Sequence, residues 1–141
     1  MCIRDSLVRA GARQAATPAE AAPGADFVIS IVTDGPDVEQ VLLGPDGAVH
    51  GAQPGAIFID MSTISPETAR NLADRLSLHQ IEFLDAPVSG GDVGARNATL
   101  TIIWHGGTAW PYPPPPWFKG FWRTRWRTVR RRRYPKPCTE R

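Results

Sequence analysis

Three short apolar runs, each ending in a polar or glycine-bearing loop, are separated by segments with the spacing of a buried helix face. The runs lie in "ADFVISIVTD" (Ala25–Asp34), "AIFID" (Ala56–Asp60) and "IEFLD" (Ile81–Asp85). The apolar part of the first is Phe27 to Val32. Continuous rather than alternating apolar residues fit strands covered on both faces. After the first run, Val38, Val41 and Leu42 fall at i, i+3 and i+4. Pro36 suits the first turn of that helix, and Gly44 its end. After the second run, Ser65 has the chemistry of an N-cap and Pro66 that of the first helical position. Glu67 favours the positive end of the dipole. Ala69, Leu72, Ala73 and Leu76 then mark the buried stripe. "QPG" (Gln53–Gly55) and Asp46-Gly47 read as turns, and "TLTII" (Thr99–Ile103) as a fourth strand.

This alternation predicts an α/β fold built from βαβ units around a parallel sheet. Right-handed crossovers carry the helices over the sheet faces. Ligands of open α/β sheets gather beyond the carboxyl ends of the strands. Here those ends carry Thr33-Asp34, Asp60 to Ser65 and Ala86 to Gly91, so three loops are expected on one rim. The third, within "DAPVSGGDVG" (Asp85–Gly94), leaves a strand and passes at once through Pro, Ser and two glycines. Backbone without Cβ atoms can approach a small anion closely, and a serine hydroxyl can donate to it.

Charge divides the chain. Residues 1–103 hold 6 Lys+Arg against 13 Asp+Glu, a net of −7, whereas residues 104–141 hold 10 against 1, a net of +9. All 5 tryptophans lie in the second part. The chain therefore divides into residues 7–103, a folded domain, and residues 104–141, an irregular Pro/Trp/Arg-rich basic tail without helical or strand period. A shift of reading frame near Ile103 accounts for so abrupt a change. "MCIRDS" (Met1–Ser6) resembles a translated library-adapter end and is set aside from fold reasoning. Cys2 and Cys138 have neither disulfide-framework nor metal-ligand spacing. No run approaches membrane-spanning length, and the N-terminus lacks the apolar middle of a secretory signal. A cytoplasmic protein is the expectation.

"IDMSTISPETA" and "FLDAPVSGG", separated by one helix, resemble the cofactor-binding domain of the β-hydroxyacid dehydrogenases. That family includes 3-hydroxyisobutyrate dehydrogenase and tartronate semialdehyde reductase and is related to 6-phosphogluconate dehydrogenase. The resemblance covers about Leu7 to Ile103 and makes the fold a partial Rossmann-type doubly wound parallel sheet. It implies NAD or NADP as cofactor and hydride transfer to or from a small 3-hydroxy acid. It implies cofactor contacts at Val32, Thr33 and Thr63, although relatives often carry Leu-Pro where this chain has Val-Thr. It places the substrate carboxylate at Ser89, Gly90 and Gly91. Intact relatives are homo-oligomers, with no membrane partner and a small hydroxy acid as substrate.

Two motifs of the family are not found in the sequence. One is the Gly-x-Gly-x-x-Gly loop that binds pyrophosphate at a helix N-terminus. The other is the Lys-x-x-Asn motif of the catalytic lysine, so no catalytic residue is assigned and the chain alone is expected to be inactive. Other residues have plainer readings. Thr33 and Asp34 can cap the following helix, and Ser65 is a cap. Asp60 and Asp85 end successive strands; satisfying loop amides suits them better than acting as paired catalytic carboxylates. His50, His79 and His105 have no ligand or triad spacing, and no metal site is assigned. A second reading makes the chain a binding module, in which the Arg/Trp tail contacts nucleic acid or another polyanion.

Overall fold

The structure is a computed structural model that describes residues 8–9 and 11–103. The readings of Met1–Ser6 and of residues 104–141 lie outside the described residues.

Among the elements described in full, a short helix α1 (Pro18–Ala21) comes first. Thr17 caps it by accepting from the Glu20 N–H at 3.1 Å, while Glu20 Oε2 accepts from the Ala16 N–H at 2.9 Å. Then follow β1 (Phe27–Ser30), α2 (Gly35–Leu43), a 3₁₀ turn (Ala48–His50), β2 (Ile57–Asp60), α3 (Pro66–Ser77) and β3 (Glu82–Asp85). After β3 come β4 (Val88–Ser89), α4 (Gly91–Arg96) and β5 (Thr101–Ile102).

Strands β1, β2 and β3 form a parallel sheet in that order. The register aligns Ser30 with Asp60, and Asp60 with Asp85, so all three strands end at one level. Facing residues in a parallel register project to the same side. On one side, Phe58 and Phe83 pack with Val38 and Leu42 of α2 and with Leu72 and Leu76 of α3. Two crossovers taken in the same direction across the sheet put both helices there. On the other side, Ile57, Ile59 and Leu84 pack against Ala86 and Ile102. The helix stripes thus fall where their spacing places them, with Val38, Leu42, Leu72 and Leu76 all buried.

The caps also follow local chemistry. Ser65 Oγ accepts from the Thr68 N–H at 3.1 Å. Asp34, not Thr33, caps α2, accepting from the Asp37 N–H at 3.2 Å. At the far end of the first crossover the backbone of Gly51 packs against α1, where a Cβ would collide with the Ala19 carbonyl oxygen.

Two strand readings are corrected. The first run is not covered on both faces, since Ile29 is 53% and Ile31 63% exposed. Among the described residues β1 pairs on one side only, so it is an edge, whereas β2 sits between two neighbours with all four residues buried. The fourth run does not extend the parallel sheet. Only Thr101–Ile102 is extended, and it pairs antiparallel with β4, Val88 facing Ile102 and Ser89 facing Thr101. The chain bends after Asp85 and closes a local pair around α4, with the Ile103 N–H bonded to the Pro87 carbonyl at 2.9 Å. A parallel partner would instead need a full crossover back across the sheet.

Candidate functional site

The three loops that follow β1, β2 and β3 open on the same rim, because their strands end in register. A layer of buried polar residues lies beneath it. Ser30 is 8% exposed, Asp60 0%, Ser62 3% and Asp85 5%. Asp60 Oδ1 accepts two hydroxyls, from Ser30 Oγ at 2.7 Å and from Ser62 Oγ at 2.8 Å. Ser62 Oγ in turn accepts the Val32 N–H at 2.9 Å. The first two loops are therefore joined side by side. Asp60 does not bond loop amides with its side chain, as the sequence suggested; Ser62 relays that bond. Its backbone carbonyl does take an amide, from Ala86 at 2.8 Å, which anchors the start of the third loop.

Above this layer stand the residues with candidate ligand roles. Val32 is half-buried, while Thr33 and Thr63 are exposed. Ser89, Gly90 and Gly91 are exposed at the turn from β4 into α4. Gly90 holds φ 133° and Gly91 φ 58°, conformations that L side chains rarely adopt. That turn is closed by the Gly94 N–H on the Gly90 carbonyl at 2.9 Å. The pairing of the two glycines thus reflects backbone conformation as well as open surface.

The buried serine layer was missed in the sequence. Its signal was present: a serine two residues after a strand-ending aspartate, beside a neighbouring strand that also ends in serine. The short helix α1 was missed too, although Thr17 and Glu20 have capping-box spacing. A cavity of about 430 Å³ runs beside β1 and reaches the rim at its carboxyl end, lined by residues that include Ala22, Phe27, Ile29, Ser30 and Val32. It is the hollow left along the open edge. Among the described residues no cluster of His, Cys, Asp or Glu could hold a metal ion.

The model for the NAD binding domain of 6-phosphogluconate dehydrogenase matches residues 3–112. The chain belongs to that family. It is 46% identical over 99 residues to an uncharacterized oxidoreductase of Shewanella frigidimarina, covering 70% of this chain and 34% of the relative. It is 43% identical over 97 residues to 3-hydroxyisobutyrate dehydrogenase of Pseudomonas aeruginosa, covering 69% and 33%. With 2-hydroxy-3-oxopropionate reductase of Escherichia coli the identity is 37% over 101 residues, covering 72% and 35%. The chain thus spans about a third of the length of the curated relatives it matches.

Among solved structures, 3-hydroxyisobutyrate dehydrogenase from Salmonella typhimurium superposes with a TM-score of 0.74 at 32% identity, over 90% of this chain and 43% of that one. Psf3 in complex with NADP+ and 2-OPP gives 0.73 at 28%, over 94% and 45%. An imine reductase from Myxococcus stipitatus with NAD+ bound gives 0.69 at 18%, over 92% and 43%, a likeness of fold. The parallel sheet read from the sequence is the Rossmann-like sheet of this NAD-binding family. No helix among the described residues is long and apolar enough to cross a membrane.

Proposed function

We propose that this chain is the cofactor-side portion of an NAD(P)-dependent 3-hydroxyacid dehydrogenase, with a site spread over the three rim loops. Val32, Thr33 and Thr63 contact NAD or NADP. Ser89, Gly90 and Gly91 hold the carboxylate of a small 3-hydroxy acid resembling 3-hydroxyisobutyrate. The observation that carries this reading is the common level of Ser30, Asp60 and Asp85, which opens all three loops on one rim.

The residues present fit one side of a dinucleotide. Two exposed threonine hydroxyls can each donate or accept, and the half-buried Val32 offers apolar surface beside them. When bound, the nicotinamide supplies the hydride acceptor or donor. The protein's part is placement. Ser89 donates to a carboxylate oxygen, and the bare backbone at Gly90 and Gly91 lets the anion come close. The domain reading, residues 7–103 with an unrelated tail, belongs to the same proposal. So do a cytoplasmic setting and homo-oligomers of the intact enzyme. The chain alone is expected to carry no dehydrogenase activity, because neither the pyrophosphate-binding glycine loop nor the Lys-x-x-Asn motif of the family is found in its sequence.

Titration of the ¹⁵N-labelled chain with NADH, then with NADPH, tests the site. Shifts confined to the amides of Val32, Thr33 and Thr63 are expected. Shifts confined to α1 or to the far ends of the strands would refute the placement. Sustained reduction of NAD+ or NADP+ by the purified chain with 3-hydroxyisobutyrate would refute the inactivity.

A further inference from the structure

The buried carboxylate of Asp60 has no role in the contacts proposed above. It is fully buried, and its Oδ2 makes no hydrogen bond among the described residues. A buried carboxylate oxygen left unbonded is destabilising, so stability is a poor reason for an aspartate here. Its other oxygen is used twice, by Ser30 Oγ and Ser62 Oγ. That double acceptance fixes a direction. A serine hydroxyl has one proton to give. Ser62 gives it to Asp60, so Ser62 Oγ turns lone pairs towards the Val32 N–H and accepts it. Val32 lies in the first rim loop, two residues after β1 ends, and Ser62 immediately precedes Thr63 in the second.

We infer that Asp60 is a positioning residue that locks the first two rim loops together through Ser62. Without an acceptor at Asp60 Oδ1, the Ser62 hydroxyl is free to rotate and the Val32 N–H loses its directed partner. The loop carrying Val32 and Thr33 then moves independently of the loop carrying Thr63. Cofactor contacts drawn from both loops need the two held at one separation. This inference rests on the cofactor reading for its purpose and on the hydrogen bonds alone for its mechanism.

Amide exchange of the full chain tests it, read at the Val32 N–H and compared with the Ala86 N–H, which bonds the Asp60 backbone carbonyl and not its side chain. Ser62→Ala should speed Val32 exchange about tenfold while Ala86 changes little, the expected size for one directed hydrogen bond. Asp60→Ala should do the same. Asp60→Asn keeps an oxygen for both serines and should restore slow Val32 exchange. Rescue by asparagine and not by alanine is the signature of an acceptor that orients a hydroxyl. If Asp60→Ala does not fold, Ser62→Ala and Asp60→Asn still decide. Equal Val32 exchange in Ser62→Ala and the unaltered chain would overturn the inference, as would Asn behaving like Ala. NADH added to the same samples separates the two claims. Shifts absent from the unaltered chain would defeat the cofactor reading, while the exchange data would still report the lock.

Discussion

Replacing Gly90 by alanine should loosen the third rim loop more than replacing its neighbour Gly91. Gly90 sits at φ 133° and ψ −1°, outside the wells open to alanine. Forcing an L residue there costs about 1–3 kcal/mol. A Cβ would also stand 3.2 Å from Leu100 Cδ2, so that half-buried side chain must give by a few tenths of an ångström. Against this, alanine restricts the unfolded chain and returns about 0.4–1 kcal/mol. The net is about 1–2 kcal/mol. Gly91 sits at φ 58°, in the small left-handed well, and its Cβ would meet nothing within 4 Å. The same entropy offset leaves Gly91→Ala at about 0.5–1 kcal/mol. Two short strands and a six-residue helix open more readily than the sheet, so the readout must be local. The Gly94 N–H bonds Gly90 at 2.9 Å, and the Thr99 N–H bonds Gly94 at 2.8 Å. Both amides should exchange about threefold or more faster in Gly90→Ala than in Gly91→Ala, following the difference in cost. Equal rates, or the reverse order, would refute the claim that backbone conformation dictates glycine at position 90.

Other substitutions test the remaining parts. Phe58→Ala empties the fully buried centre of β2 and should cost about 3–5 kcal/mol, enough to leave the chain largely unfolded by far-ultraviolet circular dichroism. Ser65→Ala removes the α3 cap and should cost about 1 kcal/mol in urea unfolding, with Ser65→Gly costing less. Glu39→Gln breaks the ion pair between Arg75 of α3 and Glu39 of α2, whose side chains are 43% and 51% exposed. The loss should stay below about 1 kcal/mol, and 1 M salt should erase most of it.

Periodicity made the helices and strands β2 and β3 legible, because Phe58 and Leu84 are buried for the reason that long apolar runs exist. It failed at Ile29 and Ile31. An edge strand and a central strand read alike when the residues that decide between them belong to neighbours rather than to the strand itself. It failed again at Thr101 and Ile102, where the apolar run was real but its partner was only two strands' worth of sequence away. The first two loops of the candidate site were legible as loops, with Thr33 and Thr63 exposed at the strand ends, but the third carries structure of its own: Ser89 ends β4 and Gly91 opens α4. The support under the loops was not legible. Ser30, Asp60 and Ser62 are polar residues inside or beside apolar runs, and only the parallel register brings residues from different strands within bonding distance. Sequence spacing cannot express that contact.

The sheet also has a history written into its order. β1 pairs with β2 and β2 with β3, so each strand docks beside the one made just before it. Each pairing closes a crossover of similar length, Ser30 to Asp60 and then Asp60 to Asp85, so each step costs about the same loop-closure entropy. A chain emerging from a ribosome can therefore lay down this sheet strand by strand, without waiting for distant residues. The lock between Val32 and Ser62 becomes possible when the second strand arrives, and the Ser89–Gly91 turn only after the third. The rim can thus be assembled in the order in which it is translated, each loop taking shape against one already in place.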